Sequence, residues 1–96
     1  MGAKVRPVII ISRDDQDSPR ALTTFIPVTG QNRGSKYEVE LPRVSFLAAG
    51  STANIQGIAS DNTNDRALFL TRLGDLPPAT MTEIEQALLY GLGMQD

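Results

Sequence analysis

Val-Arg-Pro-Val-Ile-Ile-Ile-Ser, residues 5–12, is the stretch of sequence on which the fold prediction rests. Its β-branched residues favour a strand, and proline is tolerated at the first residue of a strand. The apolar run from Val8 to Ile11 is unbroken, which predicts a strand buried on both faces. Such a strand needs neighbours, so the rest of the chain should supply a sheet around it.

Other segments share this β-rich composition. Residues 21–29 are dense in Thr, Phe, Ile and Val, and Pro27 within them indicates a bulge or an open sheet edge. Residues 37–41 alternate apolar and charged side chains, which predicts a half-buried strand with its carboxylates in water, and Pro42 ends it. Less regular stretches complete the pattern: strand candidates over residues 51–58 and 67–73, and polar loops over residues 13–19, 30–35 and 61–65.

A terminal helix is indicated after Pro77-Pro78. Thr80 and Glu83 have the spacing of a capping box, which predicts the start of the helix there. Apolar residues then recur three and four positions apart, so one face of the helix should pack on the strands. The strand candidate over residues 67–73, which precedes these prolines, could equally begin a helix. The apolar positions of the terminal helix are Met81, Ile84, Ala87, Leu88 and Leu92, and the glycines that mark its exit are Gly91 and Gly93.

These elements predict one domain over residues 1–96, mainly β. We expect a small SH3-like antiparallel barrel or bent sheet with the C-terminal helix against it. A core of this size is marginally stable, so a homodimer would help. The longest apolar run is far shorter than the roughly 20 residues that span a bilayer, and residues 1–5 lack a signal-peptide core. We therefore expect a cytoplasmic protein with no membrane partner.

The chain contains no cysteine and no histidine. Thiolate and imidazole ligands are excluded, and any catalysis must proceed without the usual general base. Asp14, Asp15 and Asp17 resemble half a metal site, but no acidic partner has the needed spacing, so we interpret them as a solvated loop and predict no metal. Nine Lys and Arg against eleven Asp and Glu give a net charge of −2, which lacks the basic footprint of a duplex-DNA binder.

Two polar residues beside strand candidates, Arg6 and Thr29, do not identify a site by themselves. An arginine near a strand start is usually solvated, and threonine before glycine suits an ordinary turn. Five blocks in order and spacing add context: Arg-Pro-Val-Ile-Ile-Ile-Ser, Phe-Ile-Pro-Val-Thr-Gly, Tyr-Glu-Val-Glu-Leu-Pro, Leu-Thr-Arg-Leu-Gly-Asp-Leu and Ile-Glu-Gln-Ala-Leu-Leu-Tyr-Gly-Leu-Gly-Met. Across residues 5–94 these blocks resemble the MazF/PemK toxin family.

The resemblance implies the toxin of a type II toxin–antitoxin system. Such a toxin is a sequence-specific endoribonuclease that cleaves single-stranded RNA through 2′-hydroxyl attack, without a metal or other cofactor, and so inhibits translation and growth. The resemblance also implies a homodimer that a cognate, MazE-like antitoxin neutralises. The family's catalytic arginine and threonine map onto Arg6 and Thr29.

The chemistry of these side chains agrees with the roles that the resemblance implies. A guanidinium offers a planar fork of donors to phosphate oxygens, so Arg6 would stabilise the charge of the transition state and Thr29 would orient the hydroxyl or the phosphate. Gln31 and Arg33 follow on the next loop, where they can read a base edge and hold a phosphate, although an ordinary polar loop is an equal alternative. Gln56 is a third candidate for binding substrate, at the position where many relatives carry an acidic residue followed by Gln and Ile.

Family members usually begin with an additional strand and a Gly-rich loop before the Arg-Pro block. Residues 1–5 alone precede that block here, so we expect this segment to be missing and a sheet edge to be exposed. Two alternatives to the ribonuclease follow: a non-catalytic toxin-fold module that binds an antitoxin, and a CcdB-like toxin that acts on a protein target. An SH3-like structural domain would explain the sheet but not the ordered blocks.

Overall fold

The computed structural model describes residues 6–12, 22–62 and 72–94 of the chain. The predicted loop over residues 13–19 and most of the strand candidate over residues 67–73 lie outside these ranges. In chain order the elements are β1 (Val8–Ile10), β2 (Leu22–Thr29), β3 (Glu38–Glu40), β4 (Thr52–Asn54), a 3₁₀ turn (Ile55–Gly57), β5 (Ala59–Asn62) and α1 (Pro78–Gly91). Asp61 and Asn62 pair with β2, so the prediction that a loop begins at Asp61 is wrong.

β2 is the central strand of the sheet, and all of its pairings are antiparallel. Phe25 pairs with both Ile10 of β1 and Ala59 of β5, so β1 and β5 lie on opposite edges of β2. Toward its end β2 pairs with β4, which in turn pairs with β3. The described strands do not close on one another. The bent antiparallel sheet with a C-terminal helix is therefore confirmed, and among the described strands the barrel that was its alternative is not closed.

The core lies on one face of the sheet. Ile9, Ile26 and Ala53 are buried there, and the fully buried Ile84 of α1 belongs to the same cluster. β1 is one-sided, because Ile9 is 8% exposed whereas Ile10 is 48% exposed. The prediction of a strand buried on both faces is wrong, since successive side chains point to opposite faces and only one of them meets this core.

A 3₁₀ turn replaces the middle of the strand predicted over residues 51–58. Between the pairs Val28–Ala53 and Phe25–Ala59, β2 advances by three residues and its partner by six. Pro27 lies at this step and has no N–H to offer the ladder. Pro27 therefore interrupts the strand pairing, as its position in β2 predicts. The prediction of one continuous strand over residues 51–58 is wrong.

Close packing reinforces the same step. A Cβ at Gly57 would lie 2.6 Å from Cγ of Pro27 and 3.2 Å from Nδ2 of Asn54. Any larger residue would have to displace the proline ring. The 3₁₀ turn thus fits against β2 because the chain has glycine where the two segments meet.

α1 begins at Pro78, before the predicted capping threonine. Pro77 occupies the N-cap and has no side-chain acceptor, while Pro78 supplies the fixed φ that suits a first turn. Thr80 is 7% exposed inside that turn, and its N–H donates to the Pro77 carbonyl oxygen over 3.0 Å. The capping box is therefore wrong, because Thr80 packs inward instead. The predicted exit is confirmed, since Gly93 adopts the φ of +72° that closes the helix.

Candidate active site

The position of Arg6 follows from the register of β1 on β2. The N–H of Val28 donates to the Pro7 carbonyl oxygen over 3.3 Å. Continued by one residue, this register sets Arg6 opposite Thr29 in a pair without backbone hydrogen bonds, where cross-strand side chains approach most closely. Pro7 has no N–H to return the bond, so the regular strand begins only after it. The strand register therefore brings these two predicted residues together.

The Thr29 hydroxyl organises the start of the loop that follows β2. Its Oγ1 donates to the Gln31 carbonyl oxygen over 3.0 Å and accepts from the Gln31 N–H over 3.4 Å. Threonine closes such turns with its own side chain. The hydroxyl proton is therefore engaged within the loop, and it must leave the Gln31 carbonyl before it can bind an oxygen of a ligand.

Glu38, at the start of β3, closes the other end of the same loop. Its Oε2 accepts from the Arg33 N–H over 2.9 Å, and its Oε1 accepts from the Ser35 N–H over 3.2 Å and from the Ser35 hydroxyl over 2.8 Å. The bond from the Arg33 amide, followed by that from the Ser35 hydroxyl, holds the pKa of Glu38 below its ordinary value.

The Glu38 carboxylate lies at the surface of a half-buried strand, as predicted, and it also accepts three hydrogen bonds from the loop. Alternation along the strand identifies the face that a side chain occupies but not its hydrogen-bond partners. The signal that could have found them is the spacing from Ser35 to Glu38, the same as in a capping box.

The segment between these two anchors, residues 30–37, is called the 30–37 loop below. The predicted polar loop here is confirmed. Gly34 has a φ of +72°, and its N–H donates to Oδ1 of Asn32 over 2.8 Å. The side chains of Gln31 and Arg33 are exposed. The loop thus presents an amide and a guanidinium to solvent from a backbone that is held at both ends.

An open groove of about 340 Å³ adjoins Thr29. Its lining comes from Pro7, the end of β2 and the segment over residues 46–51. Leu73 also lines it and is 52% exposed. Most of these side chains are apolar and none is charged, so the groove suits a ribose or a base better than a phosphate.

Gln56 lies elsewhere. It is exposed on the 3₁₀ turn and lines a second groove of about 320 Å³, together with Tyr37, Leu88 and Leu92. This groove shares no lining residue with the groove beside Thr29. The structure thus gathers the other predicted site residues around one loop and one strand end, and a part for Gln56 in binding substrate stays a prediction.

Two further properties concern only the described parts of the chain. Within residues 6–12, 22–62 and 72–94, no cluster of three or more His, Cys, Asp or Glu side chains is placed to hold a metal ion. Asp14, Asp15 and Asp17 lie outside these ranges. In the same ranges, no helix has both the length and the apolarity to cross a membrane.

Comparison with known proteins assigns the family. A sequence model described as PemK-like, MazF-like toxin of type II toxin-antitoxin system matches residues 2–92, nearly the whole chain. The chain therefore belongs to the PemK-like, MazF-like toxin family. The resemblance carried by the five sequence blocks is confirmed.

Solved structures share the fold. An endoribonuclease in complex with its cognate antitoxin, from a mycobacterial species, superposes with a TM-score of 0.80 at 23% identity, covering 100% of this chain and 88% of that chain. The Mycobacterium tuberculosis toxin MazF-mt6 gives 0.78 at 20% identity, covering 95% and 89%. The MazE-MazF structure from Deinococcus radiodurans gives 0.77 at 23% identity, covering 94% and 87%. At this level of identity the similarity establishes the fold.

Proposed function

We propose that this chain is the endoribonuclease toxin of a type II toxin–antitoxin system, which cleaves single-stranded RNA at a specific sequence without a metal or other cofactor. The observation that carries the proposal is the register that sets Arg6 opposite Thr29 beside an open groove. Membership of the toxin family supports it, and one of the similar structures is described as an endoribonuclease bound to its antitoxin.

In the proposed reaction the RNA supplies its own nucleophile. The 2′-hydroxyl oxygen attacks the adjacent phosphorus, the bond from phosphorus to the 5′ oxygen breaks, and the products end in a 2′,3′-cyclic phosphate and a 5′-hydroxyl. The proton lost by the 2′-hydroxyl and the proton gained by the 5′ oxygen exchange with solvent. Because no water has to be activated, the reaction suits a chain without histidine or cysteine.

Each site residue has a distinct task in this reaction. Arg6 donates its guanidinium fork to the phosphate oxygens and stabilises the charge that builds up on them. Thr29 turns its hydroxyl from the Gln31 carbonyl to the RNA and orients the reacting group. Gln31 reads a base edge, and Arg33 holds a flanking phosphate or stacks on a base. Gln56 contacts the RNA further along its path.

The cleavage assay is direct. The protein is incubated with long single-stranded RNA in EDTA, and the fragment ends are analysed for cyclic phosphate and 5′-hydroxyl groups. We expect cutting at one short sequence, loss of cutting in Arg6→Ala, and normal cutting in Arg43→Ala, which replaces an exposed arginine on the segment after β3. Intact RNA in the presence of well-folded wild-type protein would contradict the proposed ribonuclease activity and favour a toxin that only binds its partner.

We further propose that the protein acts in the cytoplasm as a homodimer and is neutralised by a MazE-like antitoxin. The similar structures that contain antitoxins support this partner. Light scattering on the purified chain should give the mass of two chains. Co-expression with an antitoxin encoded beside it should restore growth, and a toxin whose effect on growth persists in its presence would argue against this pairing.

A further inference from the structure

We propose that Glu38 is a positioning residue for RNA recognition: its carboxylate holds the 30–37 loop in the shape that presents Gln31 and Arg33 to the substrate. The inference rests on the proposed ribonuclease function and adds to it a residue outside the predicted catalytic pair. Glu38 belongs to β3, whose pairing with Asn54 of β4 ties it to the sheet. The loop is thereby attached to a rigid element.

The hydrogen bonds of Glu38 go to the backbone of the loop rather than to its charged side chain. Both carboxylate oxygens are used, one by the Arg33 amide and the other by Ser35. Among the described residues, the Arg33 guanidinium makes no ion pair with Glu38 within 4.0 Å. Arg33 is thus fixed through its main chain, while its guanidinium stays available to a phosphate or a base. An ordinary Arg–Glu ion pair would instead occupy the guanidinium.

Hydrogen bonds hold the part of the loop over residues 31–35, whereas its end is also packed, since Tyr37 contacts the core and its ring lies 5.4 Å from the Tyr90 ring. All side chains from Gln31 to Lys36 are exposed. Loops with few buried contacts open easily, so each hydrogen bond that anchors such a loop contributes a large part of its conformational stability. The charge-assisted bonds to Glu38 are the strongest kind available in this setting.

The anchoring of the loop by Glu38 matters most when RNA is bound. The first anchor of the loop is the Thr29 hydroxyl, which has to leave the Gln31 carbonyl when it turns to the RNA. The bonds from the Arg33 and Ser35 amides to the Glu38 carboxylate then still hold residues 33–35 to the sheet. Removal of this carboxylate should therefore weaken substrate binding and sequence selection more than the chemical step.

The test compares Glu38→Gln with Glu40→Gln. Glutamine keeps the size of the side chain but loses the charge and one acceptor oxygen, and Glu40 lies two residues along the same strand, exposed, with no hydrogen bond to its carboxylate from the described residues. Rates on a short RNA that holds the cleavage sequence give kcat and KM. In Glu38→Gln we expect KM to rise on the order of 10- to 100-fold with a smaller change in kcat, as for a misplaced binding group. Glu40→Gln should match the wild type.

Mapping of the cut sites on a long RNA supplies a readout that lost stability would not change. Glu38→Gln should cut at a broader set of sequences, whereas Glu40→Gln should keep the wild-type set. Ser35→Ala removes one of the three bonds and should raise KM less than Glu38→Gln. An unchanged KM and an unchanged cut set in a folded Glu38→Gln protein would overturn the positioning role and leave the ribonuclease function intact.

Amide NMR separates failure of this inference from failure of the proposed function. If the wild type cuts no RNA, the ribonuclease proposal fails, yet the Arg33 and Ser35 amide signals still report on the loop. They should move in Glu38→Gln and stay in place in Glu40→Gln. Signals that do not move would overturn the anchoring of the loop by Glu38, whatever the activity.

Discussion

Val28 and Pro7 share one backbone hydrogen bond of 3.3 Å, and this bond determines where Arg6 stands. Pro7 cannot donate in return, and in an antiparallel ladder the next pair outward is one without backbone hydrogen bonds. The register continued by one residue sets Arg6 opposite Thr29 in that pair. The register of β1 on β2 thus places these two polar residues opposite each other at the start of the strand.

Arg6→Ala and Arg6→Lys should separate two properties of the guanidinium. Loss of one preorganised donor to a developing charge costs roughly 10²–10³ in rate, so we expect that fall in Arg6→Ala. Lysine keeps a positive charge but not the planar fork, so Arg6→Lys should recover only part of the rate. Single-turnover cleavage with excess protein measures the chemical step. A lysine variant as fast as the wild type would show that a point charge suffices.

Thr29→Val and Thr52→Val form a matched pair, because the two residues are cross-strand partners on β2 and β4. Thr52 is 1% exposed, and its Oγ1 has no hydrogen-bond partner among the described residues. An unpaired buried hydroxyl is costly, so Thr52→Val should raise stability by about 1 kcal/mol and the thermal midpoint by about 4–8 °C. Cleavage should be normal.

Thr29→Val should have the opposite profile. The proposed role of the hydroxyl predicts a fall in cleavage of roughly 10²–10³. The thermal midpoint should change little, because Thr29 is only half-buried and its hydrogen bonds are local to one turn. Equal losses of activity in both valine variants would attribute the effect to packing of the sheet instead of the Thr29 hydroxyl.

Local sequence patterns predicted the parts of this fold that depend on local chemistry. The strand that ends at Thr29, the polar loop after it and the glycine exit of α1 follow from β-branched residues, turn formers and a glycine with positive φ. The resemblance of the five blocks supplied the family and the pair Arg6 and Thr29, which no periodicity singles out.

Features that depend on which partner a residue contacts, near or far along the chain, were not predicted. The 3₁₀ turn exists because Pro27, far away in the chain, offers no N–H at that step and because Gly57 packs on its ring. Thr80 lies inside α1 because Pro77 and Pro78 already form its start. Glu38 binds a loop that precedes it by a few residues, while alternation along β3 only places it on an outer face.

Gly57→Ala tests the contact between the 3₁₀ turn and β2. The new methyl group would lie 2.6 Å from Cγ of Pro27, so the ring or the turn has to move. Overpacking of this kind costs about 1–3 kcal/mol, which should appear as a lower thermal midpoint. Gly30→Ala is the control for stability, because no atom lies within 4 Å of a Cβ at that position. A Gly57→Ala protein as stable as Gly30→Ala would show that the turn yields freely.

Acid should loosen the 30–37 loop through Glu38. The pKa of Glu38 is lowered in the folded protein, so the unfolded state binds more protons than the folded state between the two values. The stabilisation by this carboxylate is therefore fully present above the ordinary glutamate pKa, about 4.3, and is lost as the pH falls through the lower, folded value. Arg33 adds to the lowering of the Glu38 pKa through its charge, so high salt should weaken this lowering in part.

Urea unfolding of the wild type and of Glu38→Gln across this pH range measures the contribution of the carboxylate. The difference in free energy of unfolding between the two proteins should be constant near neutrality and shrink in acid. Glu40→Gln, which removes an exposed carboxylate from the same strand, reports the background from general charge. A difference between wild type and Glu38→Gln that grows as the pH falls would mean that the hydrogen bonds from Arg33 and Ser35 do not favour the charged form.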